Sequence, residues 1–229
     1  MIKSFPSSLE VVPEGSPVAS VIWMHGLGAT GHDLATIPLQ LGLPSNLAVR
    51  HIFPHAPSIP VTINQGLVMP AWYDIQSFGA RSEDESGIRQ TSNCINQLIT
   101  REVEQGIESN KIVIAGFSQG GAMALFAGLR SSQALAGIMV LSAYLLLAEK
   151  LDGEAHKVNK QTPIFQAHGL SDPTVPIELG MFARDELIRS GYSVEWHEYL
   201  MPHQICPEEL NDIGLWLIKV LRFDRETKE

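Results

Sequence analysis

A Val/Ile-rich run, Lys111-Ile112-Val113-Ile114-Ala115, drives directly into Gly116-Phe117-Ser118-Gln119-Gly120-Gly121, and an alanine- and leucine-rich segment from Ala122 to Leu129 follows without a break. Branched residues favour the pleated strand, whereas alanine and leucine favour the helix. The chain must therefore change from strand to helix within a glycine-flanked pentapeptide. Only backbones that approach one another closely can make that turn. Glycines on both sides of Ser118 permit the approach and tolerate the strain it brings. The serine then stands at the apex, above the end of a strand and at the start of a helix.

The rest of the chain repeats the same grammar. Short apolar runs at 18–24, 47–53, 136–141, 163–167 and 193–199 read as strands, and several lack polar alternation. Such runs suit strands covered on both faces, as in a parallel sheet. Ile88, Ile95, Leu98, Ile99 and Val103 fall at helical spacing, as do Ile213, Trp216, Leu217, Val220 and Leu221. Alternating strands and helices predict an α/β layer fold: a mostly parallel central sheet flanked by helices. At 229 residues and 45% hydrophobic content, one domain over 1–229 can bury a single core. Residues 54–87 form the longest irregular stretch, with prolines at 54, 57, 60 and 70, and are a candidate lid or substrate loop.

Charge and cysteine content narrow the partners. A net charge of −9 argues against nucleic acid, which needs clustered Lys and Arg. Cys94 and Cys206 read as reduced thiols. Met1 to Pro6 carry no apolar signal-like run, and no stretch is long and apolar enough to span a membrane. A cytoplasmic protein is the expectation.

A serine at such an apex suggests nucleophilic chemistry, although the pentapeptide alone is a weak signal and a glycine-rich helix start is the plain alternative. A nucleophilic serine needs a base, and the base an orienting acid, in the chain order Ser, Asp or Glu, His. Of the later histidines, His156 lies in a polar segment, His168 ends a strand, and His197 alternates with Trp196 inside one. His203 follows the last strand and precedes the last helix, where the base belongs. Asp172, in the loop after the preceding strand, is the acid; capping a following helix is its plain alternative. Glu149, Asp152 and Glu154 are rivals in a polar connection.

An oxyanion in acyl transfer needs two backbone N–H donors. Gln119, next to the nucleophile, supplies one, and Leu27 in Met24-His25-Gly26-Leu27-Gly28 supplies the other. Two rival readings of that early loop are a metal site using His25, His32 and Asp33, and a dinucleotide loop on Gly26, Gly28 and Gly31. The first lacks further ligands, and the second lacks an acidic residue ending a second strand. The mechanism calls for no metal and no organic cofactor.

His25-Gly26-Leu27-Gly28, Pro54-His55-Ala56-Pro57, Met69-Pro70-Ala71-Trp72-Tyr73-Asp74, Gly116-Phe117-Ser118-Gln119-Gly120-Gly121, His168-Gly169 with Asp172-Pro173, and the late His203 together resemble the phospholipase/carboxylesterase family of α/β hydrolases. That family includes acyl-protein thioesterases and bacterial carboxylesterases. The resemblance spans about 18–221 and implies an α/β-hydrolase fold without a large cap domain. It implies Ser118, Asp172 and His203 as a triad, Leu27 and Gln119 as oxyanion donors, and an acyl chain lying along Ile63, Leu67, Val68, Met69 and Trp72. Core packing is the plain alternative for those five. Gln204-Ile205-Cys206 after His203, and Thr174 after Pro173, depart from the eukaryotic thioesterases' pattern.

The implied activity is hydrolysis of carboxylic esters through an acyl-enzyme, with acyl-protein thioesterase or lysophospholipase as variants. The implied partner is a small-molecule or lipid ester, or an acylated protein, and the apolar loop is a candidate homodimer surface. A non-catalytic α/β-hydrolase receptor is the reading from a different class, but such proteins commonly lack a triad member. A cysteine-dependent hydrolase would need cysteine at position 118.

Overall fold

The computed structural model describes residues 7–76 and 83–222. In chain order its strands and helices are β1 (Ser8–Val11), β2 (Ala19–Met24), β3 (Val49–Pro54), β4 (Ser58–Val61), β5 (Leu67–Pro70), α1 (Glu85–Glu104), β6 (Ile112–Phe117), α2 (Gln119–Arg130), β7 (Gly137–Leu141), α3 (Leu151–Glu154), β8 (Ile164–Gly169), α4 (Ile177–Arg189), β9 (Val194–Tyr199) and α5 (Pro207–Arg222). Among the described residues, seven strands form one sheet in the order β1-β3-β2-β6-β7-β8-β9. Every neighbouring pair is parallel except β1 with β3. All six strands read from the sequence are present, and they make up the parallel part.

The central strands are buried on both faces because helices cover both. Val21 and Trp23 of β2 pack with Leu210, Ile213, Trp216 and Leu217 of α5. Ile22 and Met24, one pleat over, pack with Ile88, Ile95 and Ile99 of α1 and with α2. The α5 helix begins at Pro207, earlier than its apolar stripe suggested, because its first turn is acidic: Glu208 and Glu209.

Two features depart from the sequence reading. The stretch 54–87 is not wholly irregular: β4 and β5 form an antiparallel hairpin within it. Pro60 and Pro70 lie in its strands, which is tolerated because the hairpin is a separate two-stranded sheet. The antiparallel β1 is the other addition. Met1 to Pro6, and residues 77–82 of the candidate lid stretch, lie outside the described residues. No helix among the described residues is long and apolar enough to cross a membrane.

The joint between β6 and α2 sits at the centre of the sheet. Gly116 pairs with Met24 of β2 on one side and Val140 of β7 on the other. A methyl group on Gly116 would overlap the Gly120 carbonyl, and one on Gly120 would overlap the carbonyls of Met24 and His25. The helix start is thus pressed directly against the ends of two strands. Overpacking such a contact typically costs about 1–3 kcal/mol, and each kcal/mol lowers the melting temperature of a chain this size by roughly 2–4 °C. Gly120→Ala should therefore lower the thermal unfolding midpoint by roughly 4 °C or more. Gly153→Ala, which meets nothing within 4 Å, should not. Equal midpoints for both variants would refute the close-approach account.

Candidate active site

Ser118 adopts φ 56° and ψ −123°, a combination a non-glycine residue rarely holds. Its N–H donates to Leu141 O (2.8 Å) and its carbonyl accepts from Ala122 N–H (3.0 Å), so both ends of the strained residue are pinned. The loop that follows β9 brings His203 to it: His203 Nε2 lies 2.9 Å from Ser118 Oγ. His203 Nδ1 lies 2.6 Å from Asp172 Oδ2. With Asp172 ionised, Nδ1 carries the proton and donates it, leaving Nε2 to accept from the serine hydroxyl. Phe117 packs on the imidazole, ring centroids 4.7 Å apart.

The two oxygens of Asp172 divide their work. While Oδ2 faces His203, Oδ1 accepts from the N–H groups of Thr174 and Val175, both at 2.8 Å. The carboxylate holds its own turn rather than capping α4, which starts only at Ile177. Two of the rivals are occupied elsewhere: Asp152 pairs with Arg189 and Ser190, and Glu154 with Arg89 and Arg130. His197 stacks between Phe165 and Tyr199, and His156 caps a short turn.

Gln119 follows Ser118 directly in the chain, and Gly26, the residue before Leu27, lies against Ser118. Gln119 is the first residue of α2, where a backbone N–H has no helical carbonyl to meet. Its side chain is spoken for at both ends: Oε1 accepts from Trp72 N–H (3.0 Å) and Nε2 donates to Tyr73 O (2.8 Å). Leu27 lies in a loop held by His25. Ala56 N–H donates to His25 Nε2 (3.0 Å), and His25 Nδ1 then donates to Gly26 O (2.8 Å). Burial lowers the pKa of His25, which keeps the ring neutral for that role. These bonds engage both ring nitrogens of His25, which leaves neither for a metal ion. The dinucleotide reading fails as well, because the loop leads only into a short 3-10 turn, Gly31–Leu34.

Residues 7–221 match the family described as phospholipase/carboxylesterase. Acyl-protein thioesterase 1 of Neurospora crassa is 47% identical over 213 residues, covering 89% of this chain and 87% of that one. Acyl-protein thioesterase 1 of Gibberella zeae is 40% identical over 230 residues, covering 94% and 98%. Among solved structures, Zea mays acyl-protein thioesterase 2 superposes with a TM-score of 0.84 at 27% identity, covering 95% of this chain and all of that one. The chain belongs to the phospholipase/carboxylesterase family. Its fold is the α/β-hydrolase fold, with no cap domain evident among the described residues. The departures at Thr174 and Gln204 coexist with this high likeness to proteins named thioesterases.

In this phospholipase/carboxylesterase-family chain a cavity of about 510 Å³ opens beside Ser118 and His203. Leu34, Ile37, Ile205 and Leu210 supply apolar lining, with Thr174 and Gln204 beside them. None of Ile63, Leu67, Val68, Met69 or Trp72 lines it. Trp72 needs correction as a substrate contact: it is buried, its indole N–H donates to His25 O (2.7 Å), and its ring packs on His25. It braces the Leu27 loop from behind. Ile63, Leu67 and Val68 are instead exposed on the hairpin and its turn, so core packing does not explain them. Met69 is partly buried and approaches Gly28.

The roles of two buried residues escaped the sequence reading. His168 Nε2 donates to Val175 O (2.9 Å) and lies 3.7 Å from Asp172 Oδ2, so it braces the turn that Asp172 holds. Burial lowers its pKa and favours the neutral ring. Glu209 sits three residues after Cys206, at the base of the His203 loop, and is fully buried. The spacing Cys206-Pro207-Glu208-Glu209, a candidate cap followed by Pro and Glu, was its only sequence signal. Its carboxyl oxygens make no well-formed hydrogen bond among the described residues. Burial pushes its pKa up to about 8, the Cys206 backbone opposes this, and Asp212 adds to it.

The sign of the Glu209 effect follows from linkage. The folded protein keeps a proton that the unfolded chain releases near the ordinary value of 4.5. Stability from this group is therefore present below 4.5 and is lost as pH rises toward 8. Glu209→Gln, which removes the titration, should gain thermal stability relative to wild type between pH 5 and pH 8.5, by roughly 3 °C or more. A difference that stays constant across that range would mean that Glu209 does not retain its proton.

Proposed function

We propose that the chain hydrolyses carboxylic esters and thioesters of acyl chains, with Ser118 as nucleophile, His203 as general base and acid, and Asp172 as the residue that orients the imidazole. The observation that carries this reading is the unbroken chain Ser118 Oγ, His203 Nε2 and Nδ1, Asp172 Oδ2, with links of 2.9 and 2.6 Å. Both lie within the reach that proton transfer requires. Family membership supports the same reaction class.

The steps follow from those atoms. Ser118 Oγ attacks the acyl carbonyl carbon while its proton passes to His203 Nε2. The carbonyl oxygen takes the electron pair and is held by the Leu27 and Gln119 N–H groups. Collapse of the intermediate expels the alcohol or thiol, which takes the proton from Nε2. Water then attacks the acyl-enzyme by the same route, releasing the carboxylic acid and restoring Ser118. Asp172 stays ionised and stabilises the imidazolium that forms in each half.

Acylated proteins and lipid esters are the substrates suggested by relatives named acyl-protein thioesterase. We assign the acyl chain to the exposed apolar residues Ile63, Leu67 and Val68, with Met69 beside the Gly28 loop. Two free cysteines support a reducing, cytoplasmic setting.

Ser118→Ala should reduce kcat/KM on p-nitrophenyl butyrate by on the order of 10³ or more. The wild-type protein should be labelled by a fluorophosphonate probe, and the variant should not. An unlabelled wild type with no esterase activity would mean a binding protein on a hydrolase scaffold. Wild-type activity in the variant would mean that another residue is the nucleophile.

A further inference from the structure

The cavity beside Ser118 draws on particular parts of the chain. Its lining comes from the residues after His203, Gln204, Ile205 and Leu210, from Leu34 and Ile37, and from Gly26, Leu27 and Ala29. No residue of the β4–β5 hairpin or of the loop after β7 belongs to its lining. This asymmetry bears on which end of a substrate enters it.

In the tetrahedral intermediate the reacting carbon carries Ser118 Oγ, the oxyanion, the acyl chain and the leaving atom. The oxyanion is directed at the Leu27 and Gln119 N–H groups. The leaving atom has a separate constraint: it must collect a proton from His203 Nε2, so it has to lie within hydrogen-bond reach of that nitrogen. His203 is itself on the cavity wall. A group attached to the leaving atom therefore projects along the His203 flank, into the cavity, while the acyl chain departs in another direction.

We infer that this cavity holds the leaving-group side of the substrate and selects an aliphatic group carried by the leaving alcohol or thiol. The inference rests on the assignment of Ser118 and His203 made above. Leu34, Ile37, Ile205 and Leu210 supply an apolar surface, and the volume of about 510 Å³ falls in the range of small-molecule sites, roughly 300–1,000 Å³. Asp33, the charged residue on the lining, is exposed, and its Oδ2 accepts from Thr30 N–H (2.7 Å) and Thr30 Oγ1 (2.9 Å). No Lys or Arg lines the cavity, so nothing there meets a phosphate. A glycerophosphate-type leaving group, as in a lysophospholipid, is disfavoured by the same surface.

The test compares two ester series. With butyrate esters of straight-chain alcohols from methanol to octanol, kcat/KM should rise by roughly threefold for each methylene buried until the cavity is filled. Ile37→Trp and Ile205→Trp, which add bulk at two lining positions, should each lower the octyl-to-methyl ratio of kcat/KM at least tenfold. In the second series, methyl esters of acids from butyrate to octanoate, the same variants should change the ratio less than twofold. A pair of S-butyryl cysteine peptides, one with leucine and one with serine beside the cysteine, extends the comparison to thiol leaving groups, with the leucine peptide preferred. Fluorophosphonate labelling and the unfolding midpoint are read on every sample. A flat alcohol series in labelled wild-type enzyme overturns the inference while leaving the serine-hydrolase reading intact. Variants that alter the acyl series instead of the alcohol series would assign the cavity to the acyl chain. Absence of labelling in wild type would strike the underlying mechanism rather than the cavity's occupant.

Discussion

The close contact among β6, α2 and β2 at Gly116 and Gly120 governs the site more than any hydrogen bond does. Side chains larger than hydrogen at those positions would drive the helix off the sheet. Because they are absent, the chain can turn sharply enough to hold Ser118 at positive φ. That strain persists because the backbone on both sides is fixed by strand pairing and by the first turn of α2. The same turn sets Gln119 as the first residue of α2, its backbone N–H without a helical partner. The proposed nucleophile and one proposed oxyanion donor thus come from a single packing constraint.

Asp172 and His203 are held by a different kind of device. They arrive on loops, which on their own would leave the imidazole loosely aimed. The Asp172 turn becomes rigid because its carboxylate bonds two successive N–H groups and His168 braces the next carbonyl from below. Phe117, the neighbour of the nucleophile, supplies the flat surface against which His203 rests. Burying neutral histidines to shape loops recurs on the other side of the site, where His25 ties Ala56 to Gly26.

Much of this was legible before any coordinates. Runs such as Ile112 to Ala115 declare themselves because a strand covered on both faces needs no polar residue. Ser118, Asp172 and His203 stood out by their order and by lying just past strand ends. The hairpin did not, since Pro60 and Pro70 erase the usual strand pattern and its exposed residues answer to no core. Trp72 misled for a related reason: an aromatic beside an apolar loop looks the same in sequence whether it faces substrate or braces a loop. The bracing role of His168 and the part played by Glu209 were silent because they depend on burial, and burial of a polar residue is set by distant parts of the chain. Only the pairing of His168 with Val175 and the enclosure of Glu209 at the head of α5 reveal what they do.

Gln119 has a consequence of a mechanical kind. Its side-chain amide clasps Trp72 and Tyr73, the segment into which the β4–β5 hairpin returns, while its backbone belongs to the helix start beside Ser118. The root of the hairpin is therefore bolted to the frame of the reaction centre. Its far end turns through Gln65 and Gly66, both at positive φ, and carries Leu67 and Val68 in the open. Such an arm is a cantilever: displacement grows with distance from the clamp, so the tip can shift while the backbone beside Ser118 stays still.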